Sequence, residues 1–101
     1  MLPFPIAIPN KELIAFCQRH HVRRMSLFGS VLRSDFRPES DVDVLVEFEP
    51  EHIPGFIGLM TMQDELTALF GRPVDLLTPK FIHRLIRQKV LNKAQVIYDA
   101  A

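Results

Sequence analysis

The sequence predicts an α/β (α+β) domain, a small mixed β-sheet backed by helices, and three observations carry that expectation. Short apolar runs at Met25–Phe28, Asp41–Phe48 and Pro73–Leu77 are bounded by Gly, Pro, Ser or Asp and read as strands. Apolar residues recur at helical spacing in Leu13–Cys17 and Phe56–Phe70, between and before those runs. The chain of 101 residues is 48% hydrophobic, enough for one modest core and too apolar for disorder. Residues 1–101 are therefore expected to form a single domain.

The elements follow in order. Three prolines in residues 1–9 suggest an extended leading segment. Asn10 is a candidate N-cap for a helix over Lys11–His20, with Leu13, Ile14, Phe16 and Cys17 on one face. Met25–Phe28 is a strand that stops at Gly29-Ser30, and Ser30–Arg33 can open a short helix. Asp35–Ser40, with Pro38 inside it, reads as a loop. The next strand, Asp41–Phe48, alternates at its start and is then almost wholly apolar, as in a sheet with one well-covered face. Pro50 and Pro54-Gly55 break the chain before a helix over Phe56–Phe70. Its stripe is Phe56, Leu59, Met60, Gln63, Leu66, Leu69 and Phe70, and Gly71 stands in the C-terminal capping position. Pro73–Leu77 is a third strand. Thr78-Pro79 suggests an N-cap with proline at the first helical position, and Ile82, Leu85 and Ile86 the buried stripe of a last helix. Gln95–Tyr98 adds a closing strand.

Formal charge is zero, with twelve basic and twelve acidic residues, so no global field points to nucleic acid or to a membrane. The distribution is uneven. Seven acids fall between Asp35 and Glu51, while bases gather in His20–Arg37 and in Lys80–Lys93. Such segregation suits a cation site flanked by phosphate-binding groups, although taken alone it is better read as a solvated surface of mixed charge. A single cysteine, Cys17, excludes an internal disulfide and reads as a small buried hydrophobe. The first residues lack the basic start and unbroken apolar run of a signal peptide, and no run reaches the ~18 apolar residues of a membrane span. The expected location is the cytoplasm.

Three carboxylates carry the chemistry. Asp41 and Asp43, two apart on one strand, point to the same face with Cα atoms roughly 6–7 Å apart. Like charges so close are unfavourable unless a cation or a proton offsets them. Mg²⁺ favours a few carboxylates together with substrate phosphates and water. An adjacent strand can bring Asp75 to the same spot. Upstream, Gly29 lets backbone approach a phosphate, and the Ser30 hydroxyl and the N–H groups of a helix start can hold phosphate oxygens. Arg33 lies one turn on and can reach the same phosphates, or pair with Asp35 or Glu39 at the surface.

Taken together, Leu27-Phe28-Gly29-Ser30-Val31-Leu32-Arg33 and Ser40-Asp41-Val42-Asp43-Val44-Leu45-Val46 resemble the signature of the minimal nucleotidyltransferases of the DNA polymerase β superfamily. Val74-Asp75-Leu76-Leu77 resembles that family's third-carboxylate strand. Ser34 departs from the pattern, since many members have glycine there. The resemblance implies a polymerase β-like sheet with its site at one edge. Asp41 and Asp43 would bind two Mg²⁺ ions, Gly29 and Ser30 would hold the triphosphate of ATP or another nucleoside triphosphate, and Asp75 would bind the catalytic metal or help deprotonate the acceptor. It further implies a HEPN-type toxin as partner, inactivated by AMP added to a tyrosine, with this chain as antitoxin.

The alternatives are a non-catalytic subunit that blocks a partner by contact, and an enzyme modifying a small molecule or an RNA end. His20, His21, His52 and His83 lack metal-ligand spacing. Lys80, Arg84 and Arg87 share a helix face, either solvated or turned to a partner or RNA. Met60 and Met62 read as ordinary core.

Overall fold

The computed structural model describes residues 6–32, 37 and 40–100. Ten elements follow one another: α1 (Asn10–Arg19), β1 (Val22–Phe28), a 3-10 turn (Gly29–Leu32), β2 (Val42–Phe48), a second 3-10 turn (Pro50–His52), α2 (Phe56–Phe70), β3 (Val74–Leu77), a third 3-10 turn (Pro79–Phe81), α3 (Arg84–Lys93) and β4 (Gln95–Asp99). The strands form one sheet in the order β3-β2-β1-β4. β1 is antiparallel to both β2 and β4, whereas β2 and β3 are parallel and joined through α2. The sheet is mixed and backed by helices, as the sequence predicts.

Period-2 patterning sets the covered face. Met25 and Leu27 of β1, Val42, Val44 and Val46 of β2, and Val74 and Leu76 of β3 all point into one core. Over them lie Leu13, Phe16 and Cys17 of α1 and Leu59, Met62 and Leu66 of α2, spaced three and four apart. Glu65 ties the two helices together by accepting from both Arg19 and His20. Gly71 ends α2 in the left-handed conformation (φ 70°), its N–H bonded to the Thr67 carbonyl at 2.9 Å. No helix among the described residues is long and apolar enough to cross a membrane.

Several expectations need correction. Asn10 is the first residue of α1, not its cap: the Pro9 carbonyl already accepts from Leu13 N at 2.8 Å, which starts the helix one residue earlier. Thr78 makes no capping bond, and Pro79 opens only a 3-10 turn. α3 starts at Arg84 and is capped by His83, whose Nδ1 accepts from Leu85 N at 3.1 Å. Of its expected buried stripe, only Ile82 is buried, while Leu85 is 79% exposed and Ile86 51%. The covered sheet face is already occupied by α1 and α2, and α3 carries the chain from the β3 edge of the sheet to the β4 edge with Leu85 and Ile86 left outside that core. Phe56 and Met60 are likewise exposed at the start of α2, where Met62 takes the buried position. Most of the loop expected over Asp35–Ser40 lies outside the described residues.

Candidate active site

The site is assembled at one end of the sheet by strand register. Phe28, the last residue of β1, pairs with Asp43 of β2. Asp43 in turn pairs with Asp75 of β3. Paired positions on neighbouring strands stand about 4.8 Å apart, so the Asp43 and Asp75 side chains leave the same sheet face side by side. Their flanking residues, Val42, Val44, Val74 and Leu76, are buried in the core, which fixes the two aspartates to the opposite face. Asp41 comes one residue before β2 begins and is exposed; Asp43 is half-buried and Asp75 exposed. The Val42 N–H bonds to the Pro73 carbonyl at 2.9 Å, which joins the starts of β2 and β3 next to Asp41.

Gly29 follows β1 with φ 74°, a conformation side chains rarely adopt. A β-carbon built there would lie 3.1 Å from Asp43 Cγ and closer still to Oδ2. The absent side chain thus makes room for the Asp43 carboxylate against the backbone. The sequence pointed to a glycine that lets backbone approach phosphate; the structure adds that it also lets a carboxylate approach backbone. The following 3-10 turn lies against β2. It is anchored by Val31, which is 2% exposed and part of the core. The first N–H groups of such a turn have no partner inside it. Ser30 belongs to that turn by its backbone, and Arg33 lies outside the described residues.

Sequence reasoning missed the support beneath Asp75. β3 is an edge strand of four residues, and its outer N–H groups are taken by α2 side chains. Gln63 Oε1 accepts from Leu76 N at 2.9 Å, and Thr67 Oγ1 accepts from Val74 N at 3.2 Å. The available signal was a glutamine standing in the inward stripe of α2. As the side chains stand, no three His, Cys, Asp or Glu groups among the described residues are gathered closely enough to hold a metal ion. Asp43 and Asp75 are neighbours by backbone position, with Asp41 two residues before Asp43. The donor chemistry suits a hard cation such as Mg²⁺, and the space kept open by Gly29 is consistent with a carboxylate held in place for one.

The opposite end of β1 and β2 holds a second polar group. His21, at φ 57°, stacks on His52 with ring centroids 3.7 Å apart. Away from the site, Cys17 is fully buried, and burial pushes its thiol up to about 12. It is a packing residue, as expected.

The sequence profile of the nucleotidyltransferase domain family matches residues 11–97. The protein adenylyltransferase MntA of Thermococcus cleftensis is 36% identical over 81 residues, covering 80% of this chain and 78% of its own. A solved candidate minimal nucleotidyltransferase shares 30% identity at a TM-score of 0.69, over 84% of this chain and 85% of that one. A solved complex of a tri-AMPylated HEPN toxin with an MNT antitoxin, from Shewanella oneidensis, matches at a TM-score of 0.65 over 90% of this chain and 70% of that one. At 17% identity, that last likeness is one of fold.

Proposed function

We propose, from the premise that this chain belongs to the nucleotidyltransferase domain family, that it transfers AMP from ATP to a tyrosine hydroxyl of a HEPN-type toxin and acts as the antitoxin of that pair. The chain is a nucleotidyltransferase enzyme. The observation that carries the reading is the register Phe28–Asp43–Asp75, which sets a glycine turn and two carboxylates at one strand end, with the third two residues before Asp43. A subunit acting by contact alone has no physical need for clustered carboxylates. The choice of AMP and of a protein acceptor follows the adenylyltransferase relative, and the toxin partner follows the fold likeness to the HEPN–MNT complex.

Asp41, Asp43 and Asp75 would hold two Mg²⁺ ions. Ions held there would supply charge that lowers the pKa of the acceptor hydroxyl and offsets that of the departing pyrophosphate. The remaining work is positioning. The turn at Gly29 and Ser30 would hold the triphosphate through backbone N–H groups and the serine hydroxyl, and Arg33 would offset phosphate charge. The acceptor oxygen attacks the α-phosphorus, the bond to the bridging oxygen breaks, and pyrophosphate leaves. Asp75 would take the hydroxyl proton at a carboxylate oxygen or hold the ion beside it. Ser30→Ala should weaken triphosphate binding by a few-fold to about a hundredfold, corresponding to roughly 1–3 kcal/mol.

The test is intact-mass spectrometry of a HEPN-type partner encoded beside this chain, after incubation with the chain, Mg²⁺ and each nucleoside triphosphate in turn. A gain of one or more AMP units with ATP, absent with Asp41→Asn, is the expected result. No gain with any triphosphate, alongside a stable complex of the two proteins, would overturn transfer in favour of inhibition by contact.

A further inference from the structure

We infer that Gln63 and Thr67 of α2 are positioning residues for Asp75, holding β3 so that its carboxylate stands beside Asp43. The inference rests on the reading of Asp75 as a metal-binding carboxylate. β3 has only four residues and pairs with a neighbour on one side alone, the kind of strand least fixed by its own ladder. Its outer edge is held by two hydrogen bonds, Val74 N to Thr67 Oγ1 and Leu76 N to Gln63 Oε1. These flank Asp75 on either side.

The match is geometric. Gln63 and Thr67 are four residues apart, a rise of about 6 Å along a helix. Val74 and Leu76 are two apart on a strand, a rise of about 6.6 Å. One turn of α2 therefore measures out the two strand positions around Asp75. The two bonds run in reverse chain order, as a helix antiparallel to the strand requires. A slip of one residue in β3 would turn Asp75 into the core and Val74 and Leu76, now 6% and 4% exposed, out to solvent. The α2 pair resists that slip, and also the smaller tilt of β3 that would draw Asp75 away from Asp43.

An edge cap with no bearing on the site would alter stability only, so the test reads metal binding. Mn²⁺ is titrated by electron paramagnetic resonance into the whole chain with a non-hydrolysable ATP analogue, and melting temperature is followed in parallel. Thr67→Val and Gln63→Met keep side-chain volume and remove the acceptor. Each should weaken Mn²⁺ binding by about tenfold or more, as loss of an outer partner does at metal sites. Thr67→Ser, which keeps the hydroxyl, should bind as the parent does. In an Asp75→Asn background, Thr67→Val should weaken Mn²⁺ no further, because the group it positions is gone. Unchanged Mn²⁺ affinity in Thr67→Val and Gln63→Met, with a clear loss in Asp75→Asn, would overturn the positioning role and leave Asp75 as a ligand. No loss in Asp75→Asn would overturn both. Should Gln63→Met fail to fold, Gln63→Asn, one methylene too short to reach Leu76 N, serves in its place and is read the same way.

Discussion

Gly29 and Asp43 compete for one volume: a β-carbon at position 29 would sit 3.1 Å from Asp43 Cγ and nearer still to its Oδ2. The turn that would take the triphosphate and the carboxylate that would take the metal are therefore built against each other. Any side chain at position 29 must displace one of them.

Gly29→Ala tests that coupling, with Gly71→Ala as its control. Both glycines have positive φ, 74° and 70°, but a β-carbon at Gly71 would meet nothing within 4 Å. Gly71→Ala should cost about 1–2 kcal/mol of stability for the left-handed backbone and leave transfer unchanged. Gly29→Ala should carry that backbone cost and also lower transfer by about a hundredfold, as a misplacement of roughly 1 Å at a reacting centre does. Equal transfer by the two variants in the mass assay would show that the Gly29–Asp43 contact has no catalytic role.

Asp41→Asn and Asp43→Asn should each abolish transfer without unfolding the chain. The substitution keeps side-chain shape, and neither aspartate belongs to the hydrophobic core. Circular dichroism should show an unchanged fold. Retained transfer in both variants would remove these residues from the site.

The parts of the fold that the sequence made legible are those where the pattern needs no partner to interpret it. The apolar run after Asp43, the break at Pro54-Gly55 and the stop at Gly71 give β2 and α2 within a residue or two. Asp75 was legible because Val74 and Leu76 flank it in a short apolar run, and the observed register brings it to Asp43. α3 was misread because spacing reports an amphipathic helix but not what covers it: Ile82, Leu85 and Ile86 make a stripe in sequence, yet only Ile82 is buried. The work of Gln63 and Thr67 was hidden for the opposite reason, since a polar side chain acquires its meaning only when a strand edge is laid beside it. His21 at φ 57° carries no local sign in the sequence at all.

Cys17 should be inert in the folded chain. Burial raises its thiol from 9.0 to about 12, so almost no thiolate is present at neutral pH. Alkylation by iodoacetamide at pH 8 should be slowed to the small fraction of chains that are unfolded and become rapid in urea. The same shift gives stability a sign at high pH. Above pH 9 the unfolded chain loses the thiol proton while the folded chain keeps it, so the folded state weakens as pH climbs from 9 towards 12. Cys17→Ala should flatten that limb of the curve. Fast alkylation of native protein would contradict the burial of Cys17.

Two leucines separate core from periphery. Leu66 of α2 is fully buried against the sheet, whereas Leu85 of α3 is 79% exposed although both stand in helices. Leu66→Ala removes core volume and should cost about 2–5 kcal/mol, read as a lower urea midpoint at an unchanged slope. Leu85→Ala removes nothing that is packed and should stay within about 0.5 kcal/mol of the parent. The comparison bears on architecture as well as on stability. A large loss at Leu85 in the isolated chain would mean that α3 is buried in solution after all, and that the stripe of Ile82, Leu85 and Ile86 belongs to the core. A small one keeps α3 outside the layer formed by α1, α2 and the sheet.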